Sequence, residues 1–151
     1  MASAGTVAIT RFSAEDRPRW TELWSAYLTF YQASLPDALY ERTWTRLLQD
    51  NELHGLTARL NGQIIGLTHF LFHDSAWTMT PVCYLQDLFV DEAARGRGVA
   101  RALIEAVATR ARTQSSTRMY WLTQDHNTTA RLLYDRLATN SGFIRYEYPL
   151  S

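Results

Sequence analysis

The sequence has no lysine, one cysteine and no long apolar run among its 151 residues. All 15 basic residues are arginine, and 15 carboxylates balance them to a formal net charge of zero. A neutral chain has no broad basic field to attract a nucleic-acid backbone, so we expect no nucleic-acid partner. We interpret the missing lysine as a compositional bias.

The lone cysteine, Cys83, has no second thiol with which to form an internal disulfide. Cysteine usage therefore gives no sign of an oxidising compartment, and we expect the cytoplasm. No stretch reaches the roughly 18 apolar residues that span a membrane, so we expect a soluble protein with no membrane partner. Residues 1–6 are small and polar; we expect a flexible N-terminus there and a single domain over residues 7–151.

Hydrophobic periodicity and turn signals predict the element order β, α, α, β, β, β, α, β, α, β. The predicted strands are residues 7–12, 54–60, 63–72, 82–90, 117–123 and 142–148. The predicted helices begin after Ser13, Pro36, Gly98 and Asn127. Asn61-Gly62, between the second and third strands, is the strongest short signal for a hairpin turn.

The most informative segment, residues 84–100, joins an apolar strand to a helix through a glycine-containing turn. The first amides of a helix have no intrahelical acceptor, and the helix dipole adds positive charge at the same end. Gly96 and Gly98 lack the Cβ atoms that would hold a diphosphate away, and Arg95 and Arg97 add charge at the rim. The pattern predicts an anion-binding turn.

Two other phosphate-binding turns do not fit this segment. A Walker A loop requires Gly-Lys-Ser/Thr, which is missing, and the glycine spacing fits a dinucleotide fingerprint poorly. An ordinary strand-to-helix turn with solvated arginines remains the alternative. The apolar strand Leu88-Phe89-Val90 just before the turn favours anion binding.

The six residues 95–100 match the pattern R/Q-x-x-G-x-G/A, with Ala100 at the last position. A second block covers residues 119–127 and 130–134 and ends in Tyr134. Together with the element order, these segments resemble the GNAT N-acetyltransferase family. Residues 84–90 are similar to the yeast histone and polyamine acetyltransferase subgroup, which also includes D-amino-acid N-acetyltransferases.

The resemblance implies an α/β fold of the α+β type, a single domain whose mixed, mostly antiparallel sheet is flanked by helices. It also implies a V-shaped splay between the fourth and fifth strands, in which acetyl-CoA would lie. Backbone groups of Leu88, Phe89 and Val90 would pair with the pantetheine, because an unpaired strand edge offers free N–H and C=O groups. The residues that would hold the diphosphate are Arg95, Gly96, Arg97, Gly98, Val99 and Ala100.

By the same resemblance, the chain would transfer an acetyl group from acetyl-CoA to a primary amine by direct attack in a ternary complex. The acceptor would be a small molecule such as a polyamine or an amino acid. Tyr134 matches the family's general acid, and a phenol can protonate a departing thiolate at neutral pH. Asn127 matches a cofactor-contacting asparagine. From the residues alone, a core position for Tyr134 and a helix N-cap for Asn127 remain open.

The general base is not obvious from the sequence. Gln86 occupies a position where polyamine acetyltransferases can have glutamate, so we assign it a catalytic role in orienting a water molecule. In a regular strand the Asp87 side chain would face the side of the sheet opposite to that of Gln86, whereas a β-bulge would change that geometry. Asp125 is a further candidate for orienting the water.

Aromatic and acidic residues predict an acceptor pocket, since a cationic amine is attracted to carboxylates and to aromatic faces. The residues assigned to it are Trp24, Tyr27, Asp87 and Trp77, with Glu22 and Asp74 close to them in sequence. The same aromatic residues would alternatively complete the core or a dimer surface. We expect a homodimer.

No metal site is predicted, because His54, His69 and His73 lack ligand-like spacing with a cysteine or a carboxylate cluster. Cys83 lacks an activating partner, so we expect inert packing rather than a covalent acetyl-enzyme. Two alternatives to a small-molecule enzyme remain. One is a protein or peptide acetyltransferase acting on lysine or N-termini, and the other is a noncatalytic acyl-CoA-binding sensor.

Overall fold

A computed structural model of the protein describes residues 5–151. Its strands are β1 (Ala8–Arg11), β2 (His54–Leu60), β3 (Gln63–His73), β4 (Val82–Val90) and β5 (Met119–Tyr120). Its helices are α1 (Arg17–Phe30), α2 (Asp37–Gln49), α3 (Val99–Thr113) and α4 (Thr128–Leu137). The flexible N-terminus expected at residues 1–6 falls mostly outside the described residues.

The strands form one sheet in the order β1-β2-β3-β4-β5. Neighbouring strands are antiparallel except β4 and β5, which are parallel. The predicted mixed, mostly antiparallel sheet is therefore confirmed. The hairpin between β2 and β3 turns at Asn61 and Gly62, whose φ angles of 52° and 79° suit the type I′ turn that the sequence signals.

The two faces of the sheet are covered by different helices. A Cβ added to Gly66 of β3 would lie 3.2 Å from Val99 and 3.3 Å from Leu103 of α3. The next residue, Leu67, belongs instead to the core cluster formed with α1 and α2. Because successive strand residues face opposite sides, α3 covers one face and α1 and α2 cover the other.

The core on the α1 and α2 face is rich in tryptophan. Trp20 is fully buried, and its ring centre lies 5.1 Å from that of Trp44 and 6.3 Å from that of Trp24. Buried aromatic side chains remove large apolar areas from water and so contribute strongly to stability. The members of this core cluster are Trp20, Leu23, Trp24, Leu28, Trp44, Leu47, Leu53, Ile64 and Leu67.

An ionic cluster around Asp50 ties four elements together at the end of α2. Asp50 accepts hydrogen bonds from Arg110 of α3 and Arg11 of β1, and it contacts the His54 ring of β2 at 2.6 Å. Burial alone would raise the pKa of Asp50, but the His54 hydrogen bond and the charges of Arg110, His54 and Arg11 outweigh burial and lower it.

The chain divides into two compact units, residues 1–121 and residues 122–151. The second unit contains α4, which confirms the helix predicted from residue 128. The strand predicted at 117–123 is shorter than expected, covering only Met119–Tyr120. The strand predicted at 142–148 is wrong, because no strand is assigned to those residues. Alternating side chains favour an extended chain, but a strand also requires a hydrogen-bonded neighbour.

Within residues 5–151, none of the helices combines the length and the apolar character needed to cross a bilayer.

Candidate active site

The predicted anion-binding turn lies between β4 and α3. Gly96 and Gly98 have φ angles of +79° and +77°, and a Cβ added to either would meet no atom within 4 Å. Glycine is therefore required by the backbone conformation, and the space above it is open. Gly98 is the N-cap of α3, so the amides of the first helical turn, beginning with Val99 and Ala100, point towards this space.

Arg95 is tied to the end of β4 rather than projecting freely. Its Nε donates to the Val90 carbonyl at 3.1 Å, and its guanidinium lies 5.6 Å from the centre of the Phe89 ring. Arg97 is exposed next to Gly96 and Gly98. Open glycines, unpaired helix amides and two arginines are the donor set that a diphosphate requires, so these residues fit the diphosphate of CoA.

One edge of β4 is largely free of strand partners. On the β3 side β4 is paired from Val82 to Val90, whereas on the β5 side only Cys83 and Tyr84 are paired. The amide of Asp91 donates to a β3 carbonyl at 2.8 Å. Because backbone groups alternate between the two edges of a strand, those of Leu88 and Val90 point to the other edge. This edge is the one expected to bind pantetheine.

A β-bulge interrupts the pairing of β3 and β4 at Gln86. His69 is opposite Asp87, and the next residue of β3, Phe70, is opposite Leu85. Gln86 is therefore the extra, unpaired residue, and it is exposed. A bulge changes which face the following side chains occupy. The strand is therefore not regular at Asp87, and the alternative geometry that a bulge would produce is present.

The bulge turns Asp87 towards α1, where its carboxylate joins a hydrogen-bonded chain of side chains. The hydroxyl of Tyr27 donates to Oδ1 at 2.9 Å, and the ring Nδ1 of His69 lies 3.1 Å from Oδ2. The indole Nε1–H of Trp20 donates to Nε2 of His69 at 3.1 Å. The His69 side chain is 1% exposed and that of Asp87 is 14% exposed.

Three of the four residues assigned to the acceptor pocket meet at this cluster. The ring of Trp24 lies 5.1 Å from that of Tyr27 and 4.8 Å from that of His69, and Tyr27 contacts Asp87. Trp24 is only 7% exposed, so its ring belongs to the core beneath the cluster. Trp77 is elsewhere, 76% exposed on the β3–β4 loop with its ring beneath the Arg118 guanidinium.

Sequence reasoning missed His69 and Trp20 as site residues. His69 was considered only as a metal ligand, and no role in the site was assigned to Trp20. One signal was available: His69 is a polar residue within the apolar strand 63–73. A buried polar side chain must find hydrogen-bond partners. Those partners, however, become visible only once the register of β3 and β4 is known.

Helix α4 contains the two residues of the second block. The side chain of Asn127 accepts a hydrogen bond from the Ala130 amide at 3.4 Å, so Asn127 is the N-cap of α4. Tyr134 is partly buried and lies seven positions later, two turns along the same side of the helix. Asp125, before the helix, is exposed and paired with Arg131 at 3.0 Å.

Cys83 is fully buried, and burial raises the pKa of its thiol to about 11. A protonated thiol is a poor nucleophile, which agrees with the expected packing role. Within residues 5–151, no three His, Cys, Asp or Glu side chains are grouped so that they could hold a metal ion.

The model of the acetyltransferase (GNAT) family matches residues 19–138 of the chain. The chain is 32% identical over 144 residues to the D-amino-acid N-acetyltransferase HPA3 of Saccharomyces cerevisiae, covering 93% of this chain and 89% of that protein. It is 28% identical over 140 residues to the uncharacterized N-acetyltransferase YhfO of Bacillus subtilis, covering 91% and 94%.

Solved structures give the same fold. The aminoglycoside N-acetyltransferase AAC(6')-Iy in complex with CoA has a TM-score of 0.86 to this chain, at 21% identity, and the match covers 100% of this chain and 99% of that one. At this identity the likeness concerns the fold alone.

Proposed function

The chain belongs to the GNAT acetyltransferase family, and from this membership we propose that it transfers the acetyl group of acetyl-CoA to the primary amine of a small molecule. The attack is direct, within a ternary complex of enzyme, acetyl-CoA and amine. The acceptor is a polyamine or an amino acid. The relative HPA3 is a D-amino-acid N-acetyltransferase, which supports testing amino acids of both configurations.

The observation that supports acetyl-CoA binding most directly is the turn before α3. Two glycines with positive φ leave open space above the first amides of α3, at the end of a strand whose outer edge pairs with β5 only at Cys83 and Tyr84. The turn offers donors to a diphosphate, while the β4 edge offers the N–H and C=O groups of Leu88 and Val90 to pantetheine amides. Phe89 contributes its ring beneath Arg95.

Acetyl-CoA supplies the acetyl group as a thioester, and the residues of this chain orient the acceptor and move protons. Tyr27 and Asp87 are the acceptor residues of this proposal, with the Trp24 ring packed beneath them. A solvent water takes one proton from the ammonium, with Gln86 orienting that water from the exposed bulge. The amine nitrogen then bonds to the carbonyl carbon as the carbon–sulfur bond breaks, and the nitrogen loses its second proton to solvent, from which Tyr134 later regains a proton.

Tyr134 is the general acid of the proposal, donating its phenolic proton to the departing thiolate. In this proposal Asn127 contacts the cofactor, a role that is compatible with its position as the N-cap of α4. The chemistry requires no metal from the protein.

The test is amine-dependent release of the CoA thiol, followed with a thiol reagent. The panel contains spermidine, spermine, D- and L-amino acids, an aminoglycoside, and lysine both free and within a peptide. We expect release with a polyamine or an amino acid. Faster turnover of the peptide would indicate a protein acetyltransferase instead. Normal acetyl-CoA binding without release on any acceptor would indicate a sensor.

Two further expectations belong to the proposal. A homodimer is supported by the exposed apolar residues near the C-terminus, which are Phe143, Ile144, Tyr146, Tyr148 and Leu150. Light scattering coupled to size-exclusion chromatography measures the mass directly. A cytoplasmic location is supported by the single, buried thiol.

A further inference from the structure

We propose that Asp87 binds the acceptor as a cationic ammonium, and that His69 is a positioning residue that fixes Asp87 without neutralising its charge. Trp20 sets the protonation state of His69 by fixing its tautomer. The inference rests on the acetyl transfer proposed above. It adds His69 and Trp20 to the proposed site. It also gives the substrate class, a primary amine that enters the site with its positive charge.

The tautomer of His69 follows from its two partners. An indole N–H can only donate, so Nε2 of His69, 3.1 Å from Nε1 of Trp20, must accept with its lone pair. The ring proton is therefore on Nδ1, which donates to Oδ2 of Asp87 at 3.1 Å. Since Nε2 is not protonated, the ring is neutral. His69 gives Asp87 a hydrogen bond and no positive charge.

The other neighbours of Asp87 are neutral as well. Tyr27 donates a phenolic proton to Oδ1 at 2.9 Å. Burial and the negative charge of Asp87 raise the pKa of Tyr31 despite its hydrogen bond with Tyr27, so Tyr31 also stays protonated at neutral pH. Among the ion pairs of residues 5–151, Asp87 pairs with His69 and with no arginine.

A carboxylate that is only 14% exposed is normally paired with a positive charge. Within the described part of the chain, Asp87 has two fixed neutral donors and no such charge, so its full negative charge is available to a bound ligand. Aromatic rings lie next to Tyr27, the phenol that donates to Asp87. The Tyr27 ring lies 4.9 Å from that of Tyr31 and 6.1 Å from that of Phe89. A carboxylate among aromatic faces is suited to an organic ammonium ion.

Two substitutions of His69 separate its contact with Asp87 from its contact with Trp20. In His69→Asn the side-chain amide takes the place of Nδ1 and can still donate to Asp87. In His69→Gln the amide takes the place of Nε2, keeping the Trp20 partner but not the Asp87 donor. Both variants lose the ring, so a purely structural role for His69 predicts equal effects.

Kinetics are measured with the faster of spermidine and D-lysine as acceptor. We expect Asp87→Asn to raise the acceptor KM about tenfold or more, the effect of losing one charged partner, with the Kd of acetyl-CoA unchanged. His69→Gln is expected to raise the same KM about fivefold, and His69→Asn to recover most of that loss. Equal KM values for the two His69 variants, or an unchanged KM in Asp87→Asn, would overturn the proposal.

Trp20 is tested against a matched core residue. Trp20→Phe removes the indole donor, whereas Trp44→Phe makes the same change in the same core cluster at a residue that contacts Trp20. Nitrogen-15 spectra of histidine-labelled protein report the tautomer at pH 7.5. We expect a protonated Nδ1 and an unprotonated Nε2 in the wild type and in Trp44→Phe, and a mixture in Trp20→Phe. A doubly protonated ring in the wild type contradicts the inference.

A spectroscopic titration keeps the test independent of turnover. Spermidine, with 1,8-octanediol as an uncharged control of similar length, is added to the CoA-bound protein. If no amine of the panel supports turnover, the acetyl-transfer proposal fails. The inference about Asp87 still stands if spermidine alone shifts the His69 Nδ1 signal in the wild type but not in Asp87→Asn. It fails if spermidine causes no such shift, even where turnover is normal.

Discussion

Leu85 and Asp87 are two residues apart on β4, yet they face opposite sides of the sheet. Phe70, the register partner of Leu85, lies with its ring centre 5.4 Å from the Arg110 guanidinium of α3. Asp87 accepts a hydrogen bond from Tyr27 of α1 instead. Residues i and i+2 of a regular strand share a face, so the extra residue Gln86 is what separates them.

Deleting Gln86 should leave Asp87 on the side of α1. Without the extra residue, Leu85 and Asp87 become adjacent in a regular ladder, and adjacent strand residues face opposite sides, so His69 stays opposite Asp87. We expect the deletion and Gln86→Ala each to lose about 1 kcal/mol of unfolding free energy or less, because Asp87 keeps its donors. Urea unfolding measures both values. A loss of roughly 3 kcal/mol in the deletion, the cost of a half-buried carboxylate without its donors, would show that Gln86 itself holds Asp87 in place.

Substitution of Gly98 should weaken CoA binding beyond its effect on folding. Gly98→Ala strains a residue with φ of +77°, costing about 1 kcal/mol, and it places a Cβ in the open space above the turn. Gly62→Ala is a matched control, because Gly62 has φ of +79° and equally open surroundings in the β2–β3 hairpin. Both variants should lose similar stability, whereas only Gly98→Ala should raise the calorimetric Kd of CoA, by about tenfold. A CoA affinity reduced equally in both variants would remove the role proposed for the turn.

Tyr134→Phe should lower kcat and leave the affinity for acetyl-CoA unchanged. Removal of a general acid reduces the rate about 100-fold. Tyr148→Phe is the control, since Tyr148 is 86% exposed. Steady-state rates and calorimetry on the same preparations distinguish the two effects. A Tyr134→Phe enzyme with wild-type kcat would exclude this tyrosine as the proton donor.

Asp50 should make the folded state sensitive to acid. Its pKa in the folded protein is lowered below the ordinary value of 3.8. A lowered folded-state pKa gives stability that is present above the unfolded value and is lost as the pH falls through the folded value. We expect Asp50→Asn to lose about 2 kcal/mol at pH 7 and progressively less below pH 4. Urea unfolding between pH 7 and pH 3 provides the measurement, with the exposed Asp125→Asn as control. The same loss at both ends of the pH range would contradict this account.

Cys83 should be inert and dispensable for catalysis. With a pKa of about 11, its thiol is almost entirely protonated at pH 8, and the side chain is fully buried. Iodoacetamide should label it only after unfolding in urea. Cys83→Ala should lose about 1 kcal/mol of stability through the small cavity and keep its kcat. Loss of turnover in a folded Cys83→Ala protein would instead favour a covalent acetyl-enzyme formed on Cys83.

Local patterns were sufficient for much of the fold. The apolar run 82–90 became β4 over its whole predicted length, and Asn61-Gly62 closed the predicted hairpin. The start of α3 also follows from neighbouring residues, since Gly98 adopts the left-handed conformation that its sequence position predicts. These features depend on interactions among residues close in the chain.

Features that depend on distant partners were predicted less well. The alternation over residues 142–148 indicated a strand, yet the backbone there has no strand partner within residues 5–151. The link from Trp20 through His69 to Asp87 joins α1, β3 and β4. Its members are 18 and 49 positions apart, so no local pattern reveals it.

The sequence by itself determined the family, the order of the elements and the glycine turn that suits a diphosphate. These properties depend on residue types and their spacing. Only the tertiary structure decided which side of the sheet Asp87 faces and which partners surround it. The physical reason is the register of two strands: one unpaired residue, Gln86, reverses the facing of every side chain beyond it. That reversal depends on hydrogen bonds with β3, a strand distant in sequence.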